Sequence, residues 1–176
     1  MEASDTGIEK NRFRLALDSS GDGASPFLVT ALSGGTGFTD TSLGSSVTIA
    51  DGLWHHYAVT LKSVPSGIET RLYIDGGLNV SSVLGSSVIN EVTGALIATV
   101  GALVATTAGG GAQYAGKLSG SLDELRYWKT RRSGKQVGRY WFDQVGGGTN
   151  TDPEPFTDTQ EEVNTTLGGY YKFNEG

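Results

Sequence analysis

Apolar and polar residues alternate one for one in short runs along most of this chain, the period of a strand with one buried face. In "NRFRLALD" (11–18), Phe13, Leu15 and Leu17 stand against Arg12, Arg14 and Ala16. "FLVTAL" (27–32) predicts a second strand and "SSVTIADG" (45–52) a third, and the turn residues of "SSGDGASP" (19–26) and "SGGTGFTDT" (33–41) mark loops. In "WHHYAVTLK" (54–62), His55, Tyr57, Val59 and Leu61 share the expected core face, opposite Trp54, His56, Ala58 and Thr60. "SVPSG" (63–67) connects this strand to "IETRLYIDGG" (68–77), with Leu72 and Ile74 expected inward and Arg71 and Tyr73 outward. "DGG" at 75–77 is a tight-turn signal leading into "LNVSSVLG" (78–85).

The second half continues the pattern with one interruption. "ALIATVGALVATT" (95–107) has the hydrophobicity of a buried helix, but its β-branched residues and internal Gly101 predict a strand. "AGGGAQYAG" (108–116) reads as a glycine-rich loop, and "KLSGSLDELRYWK" (117–129) as a strand. In that strand Asp123, Leu125 and Tyr127 fall on one face, Glu124, Arg126 and Trp128 on the other. Ser133 followed three residues later by Gln136 fits a capping box. Val137, Tyr140 and Trp141 then follow at helical spacing and predict one short helix over 134–142. "LGGYYKFNEG" (167–176) closes the chain as a strand. Many short strands, one short helix and a single core predict an all-β fold, an antiparallel two-sheet sandwich forming one domain over 1–176. Residues 146–167 are expected to be an acidic loop, and 168–176 a closing strand or the start of a following repeat.

Composition narrows the chemistry. The chain has 176 residues, enough for a core without staples, and no cysteine, so neither disulfides nor thiolate metal sites enter. No apolar stretch reaches the length of a membrane span, so membrane insertion is not expected. The net charge of −6 is unevenly placed. From Gly146 onward there are six acids and one base, and between Arg126 and Arg139 six bases and no acid. A solvated face beside an acidic loop accounts for both, and the net charge argues against a nucleic-acid partner.

Three segments in order, "DGLWHHYAVT", "RLYIDGG" and "GKLSGSLDELRYWKTRRSGKQV", resemble the laminin-G-like jelly roll of the concanavalin A-like lectin/glucanase superfamily. The resemblance covers 51–137 and implies two facing antiparallel sheets with binding loops along one rim. The ends depart from the family pattern: the chain enters as if mid-domain, and "LGGYYKFNEG" is similar to an opening strand. This leads us to expect a piece of a longer, multidomain protein. "GRYWFDQVGGGTNTD" is similar to segments of large phage and marine-microbial surface proteins. The implied setting is extracellular, at a cell or virion surface.

The two histidines are adjacent, so on a strand they point to opposite faces and cannot bind one ion together. We therefore expect a structural role for His55 and Tyr57, with His55 hydrogen-bonded to a buried acid, Asp123 being the nearest match by face. The superfamily's glucanases set Glu-x-Asp-x-x-Glu on one strand; no such spacing occurs here, and Asp123 and Glu124, being neighbours, face apart. No catalytic residue is assigned, and an enzyme is not expected. Sandwiches of the superfamily often hold a structural Ca2+, for which Asp123, Asn174 and Glu175 are the candidate ligands, and "DSSGDG" (18–23) a weaker one. The alternative is that these acids serve turns and solubility. For a sugar face, Tyr114, Tyr73 and Trp54 are the candidate ligand-binding aromatics, while Trp128 and Trp141 are expected to pack the helix. The functional expectation is a non-catalytic binding module for a glycan or a surface protein. The alternative is a structural spacer of a surface or tail assembly with no ligand of its own.

Overall fold

The computed structural model describes residues 12–17, 27–33, 36–44, 46–49, 51–89, 100–106, 112–118, 120–142 and 167–173, with backbone alone for 12, 102–106 and 112–117. Three strands, β1 (Arg12–Leu17), β2 (Phe27–Ser33) and β3 (Thr36–Leu43), form one sheet in the order β1-β2-β3. A second sheet follows as a meander of β4 (Tyr57–Val64), β5 (Gly67–Ile74) and β6 (Gly77–Leu84). Then come β7 (Ala102–Thr106), β8 (Ala112–Lys117), β9 (Leu125–Trp128), the helix α1 (Gly134–Tyr140) and β10 (Leu167–Tyr171). β7 pairs with β8 and β9 with β10, and every pairing is antiparallel.

The two three-stranded sheets face each other, and alternation decides what lies between them. Phe27, Val29, Ala31, Phe38 and Leu43 from β2 and β3 meet Ile68 and Leu72 from β5 in one buried cluster. Tyr57, Val59 and Leu61 of β4 and Val80 and Leu84 of β6 pack around it. This is the expected sandwich, and the face predicted for β4 is the face that packs. Burying one such aliphatic side chain is worth about 1.5–3 kcal/mol, so the cluster is the main source of cohesion between the sheets. Phe13, Leu15 and Leu17 sit opposite Ala31, Val29 and Phe27, hence on the core side, but are 42–49 % exposed because β1 is the edge of its sheet.

Several elements differ from the sequence expectation. Residues 36–41, part of the loop expected at 33–41, belong to β3, because Phe38 and Leu43 both reach the core and a bulge opposite the step from Val29 to Ala31 absorbs the misfit. The extra residue falls at Thr39-Asp40, where Asp40 has φ +41°; nearer the hairpin, Gly37 opposite Leu32 has φ +125°, and a Cβ there would lie 1.9 Å from the Ala31 carbonyl oxygen, so only glycine fits. Residues 46–49, expected as a strand, are coil, although Val47 is buried and Ile49 packs against the core. β8 replaces most of the expected loop at 108–116. The strand expected at 117–129 is confined to Leu125–Trp128, since Glu124 has φ +53° and breaks the extended run. Of the strand expected at 95–107, β7 supplies 102–106, while 95–99 lie outside the described residues.

α1 starts at the predicted residue, Gly134, behind the predicted cap, Ser133, and ends two residues short of the predicted end. Ser133 Oγ accepts from the Gln136 N–H at 3.2 Å, and Gln136 Oε1 accepts from the Ser133 N–H at 2.7 Å, so both halves of the capping box are present. The helix and the segment before it lie on the outer face of β4-β5-β6. There a Cβ on Gly134 would sit 3.2 Å from the Tyr73 hydroxyl, and one on Gly76 would sit 2.3 Å from the Trp141 ring. Val137 is buried in this second, smaller contact.

Candidate functional site

The loop that carries the two histidines is held by carboxylates at both of its ends. Asp51 Oδ1 accepts from the Leu53 N–H at 2.9 Å, a turn of the kind aspartate favours. The His55 ring lies between two acids: Nε2 is 2.9 Å from Asp51 Oδ2 and Nδ1 is 2.7 Å from Asp75 Oδ2. A ring with an acceptor at each nitrogen satisfies both only when both carry protons, that is, as the imidazolium. The Asp75 hydrogen bond first, and that of Asp51 second, raise the His55 pKa above its ordinary value. Asp51 is correspondingly lowered, by the Leu53 N–H and then by His55. Burial works against the Asp75 charge, but the His55 and His56 N–H groups overcome it and the net shift is downward.

Asp75 does more than pair with His55. Its Oδ1 accepts from the His56 N–H at 2.8 Å, and its own N–H donates to the His56 carbonyl at 2.9 Å. Asp75 and Gly76 have φ of +49° and +80°, the left-handed pair of a tight hairpin turn between β5 and β6. The turn predicted from "DGG" thus anchors the loop 51–56 at the end of the sandwich. Next along the chain, Tyr57 stacks edge-on against Phe27 with ring centres 5.1 Å apart, which ties the anchored loop to the core.

His56 points the other way, as strand alternation requires. Its ring lies 6.2 Å from that of Trp141, and burial first, then the Arg126 charge, lowers its pKa. The adjacent histidines are therefore shifted in opposite directions, the ring between the acids towards its charged form and the ring beside the tryptophan towards its neutral form.

The expected partnership of His55 with Asp123 is corrected by this geometry. Asp123 is exposed, and its Oδ1 accepts from the N–H of Glu124, its own neighbour, at 2.9 Å. The sequence signal for the true partners is the "DG" at Asp51-Gly52 and again at Asp75-Gly76, of which the first closes a segment expected as strand and only the second carries the expectation of a turn. Tyr73 leaves the sandwich face as expected but is 2 % exposed, because α1 covers it; the expectation of a ligand-binding surface there is corrected. Tyr114 lies in β8 opposite Val104 and not in a loop, and its side chain is outside the described residues. Trp54 is 71 % exposed, beside Leu53 at 71 %, on the braced loop.

Asn174 and Glu175 lie outside the described residues, so of the three candidate calcium ligands only Asp123 is placed. Calcium takes six to eight oxygen ligands. Among the described residues no group of three or more His, Cys, Asp or Glu side chains is arranged to hold a metal ion, and no chemistry here is routed through one. Glu124, the other acid of that pair, is engaged by the Arg126 guanidinium at 3.2 Å and by the Tyr170 hydroxyl, which joins β9 to β10. Arg126 also donates to the Tyr140 carbonyl at 3.1 Å, linking the same pair to α1.

Sequence reasoning passed over one further cluster. On the outer face of β5, Glu69 Oε1 accepts from Arg71 and Oε2 from Arg131, each at 2.6 Å. The Arg71 hydrogen bond, with the Arg131 charge, holds the Glu69 pKa below its ordinary value even though burial opposes the charge. Arg132 lies over the Trp128 ring at 4.2 Å. Lys62, Arg131, Arg132, Ser133 and Gln136 line an open cleft of about 380 Å3.

A two-sheet antiparallel sandwich with a braced rim loop defines an all-β module of the lectin-like kind. The chain belongs to the family whose model, Laminin_G_3, is described as the concanavalin A-like lectin/glucanases superfamily and matches residues 2–138. Neither the curated proteins nor the solved structures contain a match to this chain. Laminin-G-like domains are generally non-catalytic binding modules and typically extracellular, and the superfamily also includes glycosidases. Among the described residues no helix is long and apolar enough to cross a membrane.

Proposed function

We propose that this domain is a non-catalytic binding module that recognises carbohydrate at a cell or virion surface, as part of a larger surface protein. The observation that carries this reading is Trp54. An indole that is 71 % exposed is a liability on a flexible loop, but this loop is fixed by four hydrogen bonds to Asp51 and Asp75. A rigid, solvent-facing aromatic at the end of a sandwich presents a flat apolar face that a pyranose ring can cover, and it is ordered before the sugar arrives. Leu53 beside it extends the apolar patch.

A glycan array probed with the whole chain, repeated with Trp54→Ala, tests the proposal. Retention of a glycan that the variant loses, at unchanged melting temperature, supports it. If no glycan is retained, or the variant binds as well as the parent, the spacer reading is the better one. Calcium at Asp123, Asn174 and Glu175 belongs to the same proposal, and a melting temperature that is the same in excess Ca2+ and in EDTA would remove it.

A further inference from the structure

Two of the four hydrogen bonds that fix the Trp54 loop run through one titratable ring. As the imidazolium, His55 donates from Nδ1 to Asp75 at 2.7 Å and from Nε2 to Asp51 at 2.9 Å. A neutral imidazole carries a single N–H. Losing a proton therefore turns one of the two contacts from a charge-assisted hydrogen bond into a nitrogen lone pair facing a carboxylate oxygen. Neither tautomer avoids this, because an acceptor stands at each nitrogen. The groups around the ring keep their own charge meanwhile. Asp51 is lowered by the Leu53 N–H and then by His55. Asp75, where burial works against the charge, is still lowered by His55 and the His56 N–H. Tyr57, with its ring centre 6.0 Å away, is raised by burial and then by the two acids, and so stays neutral. His56 points away towards Trp141 and is lowered by burial and then by the Arg126 charge. Between about pH 6 and 9, His55 is thus the member of this group whose charge changes.

We propose that His55 gates the Trp54 site by pH: the loop is clamped and presents its indole while the ring bridges both acids, and it loosens and releases its saccharide when the bridge is broken. The saccharide half of this inference rests on the binding-module reading; the gating of the loop rests on His55, Asp51 and Asp75 alone. The direction follows from the raised His55 value. The clamp is complete below the ordinary value of 6.5 and is lost as pH rises through the folded one. A ligand that needs the clamped loop then binds with its affinity reduced by the fraction of molecules that hold the clamp.

The test is NMR carbon relaxation at the backbone Cα atoms of the whole chain, without ligand, at pH values from about 6 to about 9, with the His55 ring nitrogens followed over the same range. We expect the order parameters of Leu53 and Trp54 to fall from about 0.85 towards the flexible range below about 0.6, while Leu72 and Val137 stay rigid. The midpoint of that fall should coincide with the titration of the His55 ring. Asp51→Asn should flatten the step, since a carboxamide can accept from the charged ring or donate to the neutral one. His55→Gln should abolish it, and if that variant does not fold, Asp51→Asn decides alone. A loop equally rigid throughout, a midpoint apart from that of His55, or an undiminished step in Asp51→Asn overturns the proposal. A glycan retained by the array is then titrated calorimetrically at both ends of the range. Its affinity should be at least about three-fold weaker at the basic end in the parent and unchanged in Asp51→Asn, and equal affinity in the parent overturns the gate. If the array retains no glycan, the module reading fails and takes the saccharide half with it, while the relaxation data decide the gating of the loop by themselves.

Discussion

Replacing Gly76 with alanine tests whether the β5-β6 turn and the helix are fitted to each other. Gly76 has φ +80°, and a left-handed backbone costs a residue with a Cβ about 1–2 kcal/mol. The added Cβ would also lie 2.3 Å from Trp141 Cδ1, 2.7 Å from its Nε1 and 3.2 Å from the Gly138 Cα. Something must shift, and Trp141 is itself packed against His56 and Phe142. Crowding of this kind costs about 1–3 kcal/mol, so Gly76→Ala should destabilise the domain by about 2–5 kcal/mol in total. The two contributions can be separated. In a Trp141→Ala background the ring is gone and the same change should cost only the backbone share, about 1–2 kcal/mol, leaving a coupling of about 1–3 kcal/mol between the sites. Equilibrium unfolding in urea of the parent, both single variants and the double variant measures all of this in one cycle. A cost below about 1 kcal/mol for the single change, or equal costs in the two backgrounds, would refute the argument that Trp141 is seated on this turn.

Other consequences can be checked alongside. His55 has a raised folded-state pKa, so its brace contributes fully below the ordinary value near 6.5 and is lost as pH rises through the folded value. Asp51 and Asp75 are lowered, so their share is present above about 3.8 and is lost on acidification. His55→Ala should therefore lower the melting temperature more at pH 5.5 than at pH 8.5 (about one unit below and two above the ordinary histidine value), and an equal loss at both would count against the imidazolium. His56 has the opposite sign: its lowered pKa favours the fold above the ordinary value and works against it as pH falls, which an NMR titration of the two rings would resolve. Leu72→Ala, at a fully buried position of β5, should cost about 2–5 kcal/mol by urea unfolding. Ser133→Ala removes the cap of a seven-residue helix and should cost about 0.5–2 kcal/mol, with a loss under 0.3 kcal/mol telling against the capping box.

The strands that alternate cleanly were legible from the residues: β1, β2, β4, β5 and β6 all fall where the period of two puts them, and the capping box fixed the helix. β3 was not legible, because its apolar positions, Phe38 and Leu43, are five apart, and a bulge between them at Thr39-Asp40 is what brings both into the core. Val47 and Ile49 misled in the opposite direction, having the alternation of a strand while lining the core from a coil. At the candidate site, strand alternation correctly separated the two histidines. It could not name the partners of His55, since Asp51 and Asp75 lie in turns, where no periodicity says which way a carboxylate points. The burial of Tyr73 was hidden for a related reason: alternation assigns a face, but only the tertiary fold shows that α1 lies over it.

The Asp75-Gly76 turn has a consequence for how the molecule comes apart. One carboxylate holds the loop of Trp54 through His55 and His56, and the adjacent glycine receives the ring that seats α1. Backbone around 51–56, 75–77 and 138–141 thus shares a single fastening, and these separated stretches of chain should exchange their amide hydrogens as one cooperative unit. Deuterium uptake would then follow the fold's wiring and not its sequence order, with a base-induced loss of the His55 brace quickening exchange in all three stretches together.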